Sequence, residues 1–281
     1  MKVLRRIQRH FVVYIMMPIF NNYGRRFYLS HRPDFSSHIN PEEMKHFIKI
    51  WEHGQRGNNR GDWARLYFLI SSIKDLHKRN VPGALAELGV YKGASAKILN
   101  SFMPDRDLYL FDTFEGFNIR DTEKDPSGVD AGHFEGSLQE VKEFIGLAAN
   151  VHYCKGVFPD TVSEVPEDVM FALMHLDCDL YEPMKAACEF FYDRLEPGGL
   201  LIIHDYHSGC WPGVKQAVDR YFADKLEQPV LIPDKSGTAV VVKNNLNNQN
   251  SSIKAIRKIL SLSVVGVSEE AFPSLAMLAF I

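Results

Sequence analysis

The chain has 281 residues, of which 46% are hydrophobic and 24% are charged, and its formal net charge is −3. These proportions are typical of a globular protein with one large domain, or at most two small ones. The slightly negative charge argues against a nucleic-acid binder that works by general electrostatic attraction. The four cysteines show no CxxC or zinc-ligand spacing, so we expect free thiols, mostly buried, in a reducing compartment.

The first 26 residues combine basic side chains with a short apolar run and contain no carboxylate. The apolar run is shorter than the roughly 20 residues that a membrane-spanning helix needs, and no cleavage site of small residues follows it. A predicted helix has an apolar face opposite three arginines, which is typical of a helix on an anionic lipid surface: Val3, Leu4, Ile7 and Phe11 against Arg5, Arg6 and Arg9. The alternative is an arm that packs on the domain or on a second subunit. We therefore expect a cytoplasmic protein in which residues 1–26 provide peripheral membrane contact or a homo-oligomer interface.

Helical and strand patterns alternate from Asp62 onward. Asp62 caps a predicted helix whose apolar residues recur at helical spacing, and Val81-Pro82-Gly83 ends that helix. Short apolar runs separated by helices then predict buried parallel strands, and a hairpin closes the series. The predicted strands occupy residues 84–90, 108–112, 151–154, 169–176 and 200–204, and the hairpin occupies residues 230–242.

This order predicts an α/β, Rossmann-like fold: a mostly parallel seven-stranded sheet that ends in an antiparallel hairpin. We assign residues 62–243 to that domain. Residues 1–61 form an amino-terminal arm and cap, and residues 244–281 form an Asn-rich linker and a carboxy-terminal tail. Residues 113–136 form a long polar stretch without periodicity, which is typical of a functional lid or a disordered loop.

The first predicted strand leads into an E-x-G-x-x-x-G turn, from Glu87 to Gly93, at the start of a helix. Glycine lets the backbone pass close to a ligand, and a helix amino terminus favours a carboxylate or phosphate. The next strand ends at Asp112, from which an acidic side chain can hold ribose hydroxyls. The structural alternatives are that Glu87 is a helix-capping partner and that Asp112 caps Thr113. The combined pattern favours a nucleoside ligand, although the G-x-G-x-x-G spacing of dinucleotide sites is absent.

Two later strands end in Asp177-Cys178-Asp179 and in His204-Asp205. In open α/β sheets such strand ends share one rim, where ligands bind. Charges gathered there need a metal or another partner, because burying them unpaired is costly. The D-x-D form is also typical of a metal-dependent glycosyltransferase that holds a nucleotide sugar. A non-catalytic protein with the same fold is a second alternative.

Several motifs resemble those of the macrocin and mycinamicin sugar O-methyltransferases, and they follow the family's order. They are AELGVYKGASAKIL, LYLFDTFEGF, GVFPDT, LDCDLYEP, LEPGGLLIIHDY and VKQAVDRYF. The resemblance covers about residues 62–243. It implies a class I S-adenosylmethionine-dependent O-methyltransferase that uses Mg²⁺ to bind a sugar diol. The implied acceptor is a glycosylated natural product or a surface glycan.

The resemblance also assigns roles to single residues. It implies that Asp177 and Asp205 bind the metal and that Asp179 is the general base. An extended backbone would point Asp177 and Asp179 to the same face; the alternative is that Asp179 caps the following helix. The implied cofactor-binding residues are Glu87, Gly89, Val90, Gly93, Ser95, Asp112, Thr113, Phe114, Gly116, Gly156 and Phe158.

The chain departs from the family at His204, where the family has an aspartate that binds the metal. Three interpretations follow: His204 lies outside an Mg²⁺ shell that water completes, it binds a softer metal, or the metal is lost and His204 is a base. The first is favoured, since Mg²⁺ commonly keeps several waters. His207 is a further candidate base.

Overall fold

The computed structural model describes residues 11–16, 18, 19, 39–53, 59, 61–146 and 148–244. Most of the expected membrane-surface helix, and the linker and tail beyond residue 244, lie outside these residues. Within the described part, no helix is long and apolar enough to cross a membrane. The chain divides into two compact units, residues 1–45 and 46–281, and the site described below lies within the second.

Helices and strands alternate along the described chain, with a π-helical turn at Val12–Met16 and a 3₁₀ turn at Asp160–Glu164. The helices are α1 Pro41–Trp51, α2 Trp63–Arg79, α3 Ala94–Phe102, α4 Ile119–Thr122, α5 Leu138–Ile145, α6 Tyr181–Tyr192 and α7 Pro212–Phe222. The strands are β1 Ala84–Leu88, β2 Leu108–Asp112, β3 Val151–Lys155, β4 Phe171–Leu176, β5 Leu195–Ile203, β6 Val230–Leu231 and β7 Ala239–Val242.

The strands form one seven-stranded sheet in the order β3-β2-β1-β4-β5-β7-β6. The first five are parallel, whereas β7 pairs antiparallel with both β5 and β6. Every residue of β1 and β4 is buried, which explains why both strands are apolar except for Glu87 and His175. The predicted parallel sheet with a closing antiparallel hairpin is confirmed.

Several strand bounds differ from the prediction, and two of the differences are informative. β1 ends at Leu88 rather than at Val90, because Gly89 has a φ of 88° and turns the chain out of the sheet. β5 begins at Leu195 rather than at Leu200, so it includes the Pro197-Gly198-Gly199 segment that precedes the predicted strand. The pairing of β4 with β5 changes register between Phe171 and Leu173, and this irregularity accommodates the extra residues within the strand.

The order of the strands determines where a ligand fits. From β1 the chain continues to β2 on one side, and from β4 it continues to β5 on the other, so the crevice between the carboxyl ends of β1 and β4 is the switch point of the sheet. The helix before β1 also reaches this crevice: Asp62 caps α2, as predicted, and Arg65 lies in its first turn. Three cysteines, Cys154, Cys178 and Cys188, are buried free thiols, as expected.

Candidate active site

A cavity of about 280 Å³ opens at the carboxyl ends of the central strands. Its walls come from the turns after β1 and β2, the ends of β4 and β5, and the loops that follow them. Of the fifteen residues predicted to form the site, twelve line the cavity. They are Gly89, Val90, Ser95, Asp112, Thr113, Gly116, Gly156, Phe158, Asp177, Asp179, His204 and Asp205.

The Asp112 carboxylate joins the turns that follow β1 and β2. Its Oδ2 atom accepts hydrogen bonds from the backbone N–H groups of Val90 at 2.7 Å and Tyr91 at 2.9 Å. Its Oδ1 atom accepts from the N–H of Phe114 at 2.7 Å, rather than capping Thr113. A carboxylate accepts about four hydrogen bonds, so capacity for a ligand hydroxyl remains. Asp112 therefore fixes the shape of the turn and still faces the cavity.

Gly89 brings the turn after β1 against the end of β4. A Cβ atom at this position would lie 2.0 Å from the carbonyl oxygen of Asp177, and its φ of 88° disfavours other residues. Glycine is therefore required by a close backbone approach. This contact connects the glycine motif to the D-x-D motif, which lies 88 residues later in the chain.

Three predicted cofactor-binding residues lie outside the cavity lining. Glu87 is fully buried, and its Oε1 atom lies 2.7 Å from Nδ1 of His175 on β4. Burial raises the pKa of Glu87 above its usual value, although the contact with His175 opposes the shift. Gly93 caps α3 and packs near Val141, and Phe114 is buried with a φ of 55°. These three residues lie behind the cavity lining, and their predicted part in cofactor binding stays a prediction.

A compact group of charged side chains occupies the other end of the cavity. Nδ1 of His204 lies 2.6 Å from Oδ1 of Asp177 and 2.5 Å from Oδ2 of Asp205. Neither ring nitrogen makes a hydrogen bond of acceptable geometry among the described residues. On the opposite side, Nη1 of Arg65 lies 3.5 Å from Oδ2 of Asp177. His204 is thus next to both carboxylates, not away from them.

The charges in this group shift one another's protonation. Burial and the positive charge of Arg65 lower the pKa of His204, but the negative charges of Asp177 and Asp205 outweigh them and raise it to about 9. Burial by itself would raise the pKa of Asp177, yet the charges of His204 and Arg65 hold it well below its usual value. Without any other cation, Asp177 is therefore a carboxylate that faces an imidazolium.

Asp179 differs from both neighbouring acids. Burial raises the pKa of Asp179 well above its usual value, and the negative charges of Asp177 and Asp205 add to the shift. Its φ is 61°, so the expected extended chain from Asp177 to Asp179 is wrong: β4 already ends at Leu176. Both side chains nevertheless line the cavity, because the backbone turns there.

Asp179 does not cap the helix that follows it. α6 begins at Tyr181, and its cap residue, Leu180, makes no side-chain hydrogen bond to the helix. The N–H of Tyr181 instead donates to Oδ2 of Asp125 at 2.8 Å. The helix-capping alternative for Asp179 is therefore excluded, and its carboxyl group is available to the cavity.

Sequence reasoning missed Arg65 and its surroundings. Its side chain is 4% exposed, its guanidinium lies 4.6 Å from the ring centroid of Trp51, and it hydrogen-bonds to Oδ1 of Asn59. Asn59 and Arg65 both line the cavity. One signal was present: Arg65 lies on the same helix face as Leu69 and Leu76, so it places a charged side chain on a buried face.

An aromatic wall, which we define as Phe117, Phe134 and Trp211, also lines the cavity. Phe117 packs edge to face on Phe134 and on Trp211, with centroid distances of 5.5 and 5.8 Å. Two of these rings, Phe117 and Phe134, belong to the polar stretch at residues 113–136. Phenylalanines in an otherwise polar stretch were the sequence signal that could have indicated this part of the cavity lining. His207, the further candidate base, is exposed and lies outside the lining.

Comparison with known proteins gives a consistent result. Residues 60–241 match the family model for the macrocin O-methyltransferases. Demethyldecarbamoylnovobiocin O-methyltransferase of Streptomyces niveus is 31% identical, over 69% of this chain and 79% of that protein. The 8-demethyl-8-(2,3-dimethoxy-alpha-L-rhamnosyl)-tetracenomycin-C 4'-O-methyltransferase of Streptomyces olivaceus is 33% identical, over 56% and 66%.

Among solved structures, that of the O-methyltransferase NovP covers 72% of this chain and 98% of its own, with a TM-score of 0.62 and 23% identity. This likeness confirms the predicted Rossmann-like class I methyltransferase fold.

Proposed function

Because the chain belongs to the macrocin O-methyltransferase family, we propose that it methylates a sugar hydroxyl of a glycosylated natural product or surface glycan, with the help of a divalent cation. Membership makes it an S-adenosylmethionine-dependent O-methyltransferase; the acceptor, the cation and the residue roles are the proposal. One observation carries it: a single cavity joins the Asp112-bound glycine turn to the acidic group at Asp179. A cofactor and an acceptor can therefore meet there.

The cofactor belongs at the glycine end of the cavity. Asp112 retains acceptor capacity for ribose hydroxyls, and Gly89 lets the turn after β1 pack against the backbone of Asp177. Gly156 and Phe158, beyond β3, line the cavity and would contact the adenine ring of the cofactor. The match at residues 60–241 supports residues 62–243 as the methyltransferase domain.

The acceptor belongs between the acidic group and the aromatic wall. In methyl transfer the C–S bond of the sulfonium breaks, a C–O bond forms to the acceptor hydroxyl, and S-adenosylhomocysteine leaves. The proton of the hydroxyl passes to Asp179, whose carboxyl group lines the cavity beside Asp177 and Asp205. The tetracenomycin relative is named for a compound that carries a rhamnosyl group, which supports a sugar acceptor here.

The acidic group fits a divalent cation. Asp177, His204 and Asp205 each offer one ligand atom, and these atoms lie within 4.8 Å of one another. A buried imidazole without a hydrogen-bond partner beside two carboxylates is a donor set that a cation would satisfy. Asp177 and Asp205 would hold the ion, for which the family resemblance implies Mg²⁺. When bound, such an ion lowers the pKa of an adjacent hydroxyl.

The test is methyl transfer with a panel of acceptors. Methyl-labelled S-adenosylmethionine is incubated with glycosylated compounds that carry free vicinal hydroxyls, and labelled product is separated by chromatography. We expect transfer to at least one glycoside and none to the matching aglycones. Binding of S-adenosylhomocysteine without transfer to any glycoside would favour a non-catalytic protein. Family membership removes the support for the glycosyltransferase alternative.

A further inference from the structure

We propose that His204 is itself a metal ligand, and that Asp177, His204 and Asp205 form a site that prefers a first-row transition dication, such as Mn²⁺, Co²⁺ or Zn²⁺, to Mg²⁺. This inference rests on the proposed metal-assisted methyl transfer and names the kind of ion. It departs from the all-carboxylate site that the family resemblance implies.

The positions of the three ligand atoms carry the first step. Oδ1 of Asp177 and Oδ2 of Asp205 both lie within 2.6 Å of Nδ1 of His204, so the imidazole occupies the point where the two carboxylates converge. Arg65 contacts the other oxygen of Asp177, which leaves Oδ1 facing the group. Around a metal with bonds of about 2.1 Å, neighbouring ligand atoms lie about 3 Å apart. An increase of about 0.5 Å in the distances from Nδ1 of His204 to the two carboxylate oxygens would therefore give the separation found around a metal ion.

The surroundings of the imidazole carry the second step. His204 is 7% exposed, and neither of its ring nitrogens has a hydrogen-bond partner among the described residues. An unsatisfied polar atom at this depth is costly. The ligand atoms of Asp177, His204 and Asp205 lie within 4.8 Å of one another. A cation among them would satisfy all three side chains.

The chemistry of the ligand atoms selects the ion. Mg²⁺ prefers oxygen ligands in an octahedral shell, whereas an imidazole nitrogen suits Zn, Fe, Ni or Cu. Two carboxylates and a neutral imidazole carry a charge of −2, which balances a dication. Asp179 contributes no atom to the three-residue group, so it remains available to accept the proton of the acceptor.

The direct test is pulsed electron paramagnetic resonance of the Mn²⁺-loaded full-length protein. We expect echo modulation from a directly coordinated ¹⁴N nucleus in the wild type, loss of that modulation in His204→Asp, and its retention in His207→Gln. The His207 variant is the matched control, because this exposed histidine lies three residues further on and outside the cavity. Mn²⁺ bound without ¹⁴N modulation in the wild type would overturn the proposal, and so would the absence of Mn²⁺ binding. The wild-type result stands even if the aspartate variant fails to fold.

A second measurement compares ions by calorimetry without acceptor. We expect His204→Asp to lower the ratio of Co²⁺ affinity to Mg²⁺ affinity by about tenfold or more, because the nitrogen ligand is replaced by oxygen. An unchanged ratio would overturn the proposal. S-adenosylhomocysteine is titrated into the same samples. If S-adenosylhomocysteine binds and the ratio of metal affinities does not change, only the metal assignment fails. If neither S-adenosylhomocysteine nor a metal ion binds, the proposed function fails as well.

Discussion

The two ends of the cavity are built in different ways. At the cofactor end, backbone N–H groups from two turns already satisfy the Asp112 carboxylate, and a glycine allows those turns to meet β4. At the acceptor end, buried side chains of both charges crowd together and the His204 nitrogens lack hydrogen bonds. The first end is organised by the chain alone. The second end keeps buried polar atoms without a hydrogen-bond partner among the described residues, as is common where function conflicts with stability.

This contrast makes distinct predictions for substitutions. Changes at the cofactor end should alter cofactor affinity and folding, because the same hydrogen bonds serve both. Changes at the acceptor end should alter turnover and leave cofactor affinity nearly unchanged. Four variants, taken from the largest expected effect to the smallest, test this division.

Gly89→Ala should abolish measurable cofactor binding and lower the free energy of unfolding by about 3 kcal/mol or more. The added Cβ would overlap the Asp177 carbonyl oxygen, and a positive φ adds a further cost for alanine. Gly128→Ala is the control, since its φ is 67° and no atom lies within 4 Å of the added Cβ. Thermal melts and calorimetry measure both quantities. Equal effects of the two variants would show that the turn does not depend on close contact with β4.

Asp179→Asn should reduce turnover by about 10²-fold or more, with little loss of stability or cofactor affinity. An amide cannot take the acceptor proton, and asparagine tolerates the positive φ of this position. Single-turnover methyl transfer with labelled cofactor measures the step. Near-normal turnover would exclude Asp179 as the base and direct attention to His204.

Asp112→Asn should weaken S-adenosylhomocysteine binding by about tenfold, or 1.4 kcal/mol. One amide oxygen cannot replace two carboxylate oxygens that accept three backbone hydrogen bonds, so the turns after β1 and β2 lose a shared partner. Asp107→Asn, at the other end of the same strand, is the control. Calorimetry that gives the same affinity for both variants would contradict the role of Asp112.

Trp211→Ala should raise the acceptor KM several-fold while the dissociation constant of S-adenosylhomocysteine changes by less than about twofold. The aromatic wall loses one ring that packs on Phe117 and lines the acceptor end. Trp63→Ala removes a partly exposed tryptophan away from the cavity and serves as the control. An equal change in KM for both variants would mean that the wall does not contact the acceptor.

The sequence was sufficient to predict the residues at strand ends. Asp112, Asp177 and Asp205 each end an apolar run, and parallel strands bring their carboxyl ends to one rim. Contacts across the sheet were not predictable in this way. Glu87 pairs with His175 only because β1 lies beside β4, and no local pattern gives that order.

Two further features depend on tertiary structure. Arg65 reaches Asp177 from a helix that precedes the first strand, so its role follows from packing and not from spacing. The positive φ of Asp179 arises where the chain leaves β4 and turns towards α6, and an extended strand pattern predicts no such turn. Local periodicity thus determined the elements, whereas the charged contacts required the fold.

The central claim is that the cavity at the carboxyl ends of β1, β2 and β4 binds S-adenosylmethionine. Titration of the full-length protein with S-adenosylhomocysteine in a calorimeter tests it most directly. We expect one site per chain with a dissociation constant in the micromolar range, which corresponds to about −8 kcal/mol. Absence of a heat signal with either S-adenosylhomocysteine or S-adenosylmethionine, for protein that melts cooperatively, would contradict the claim.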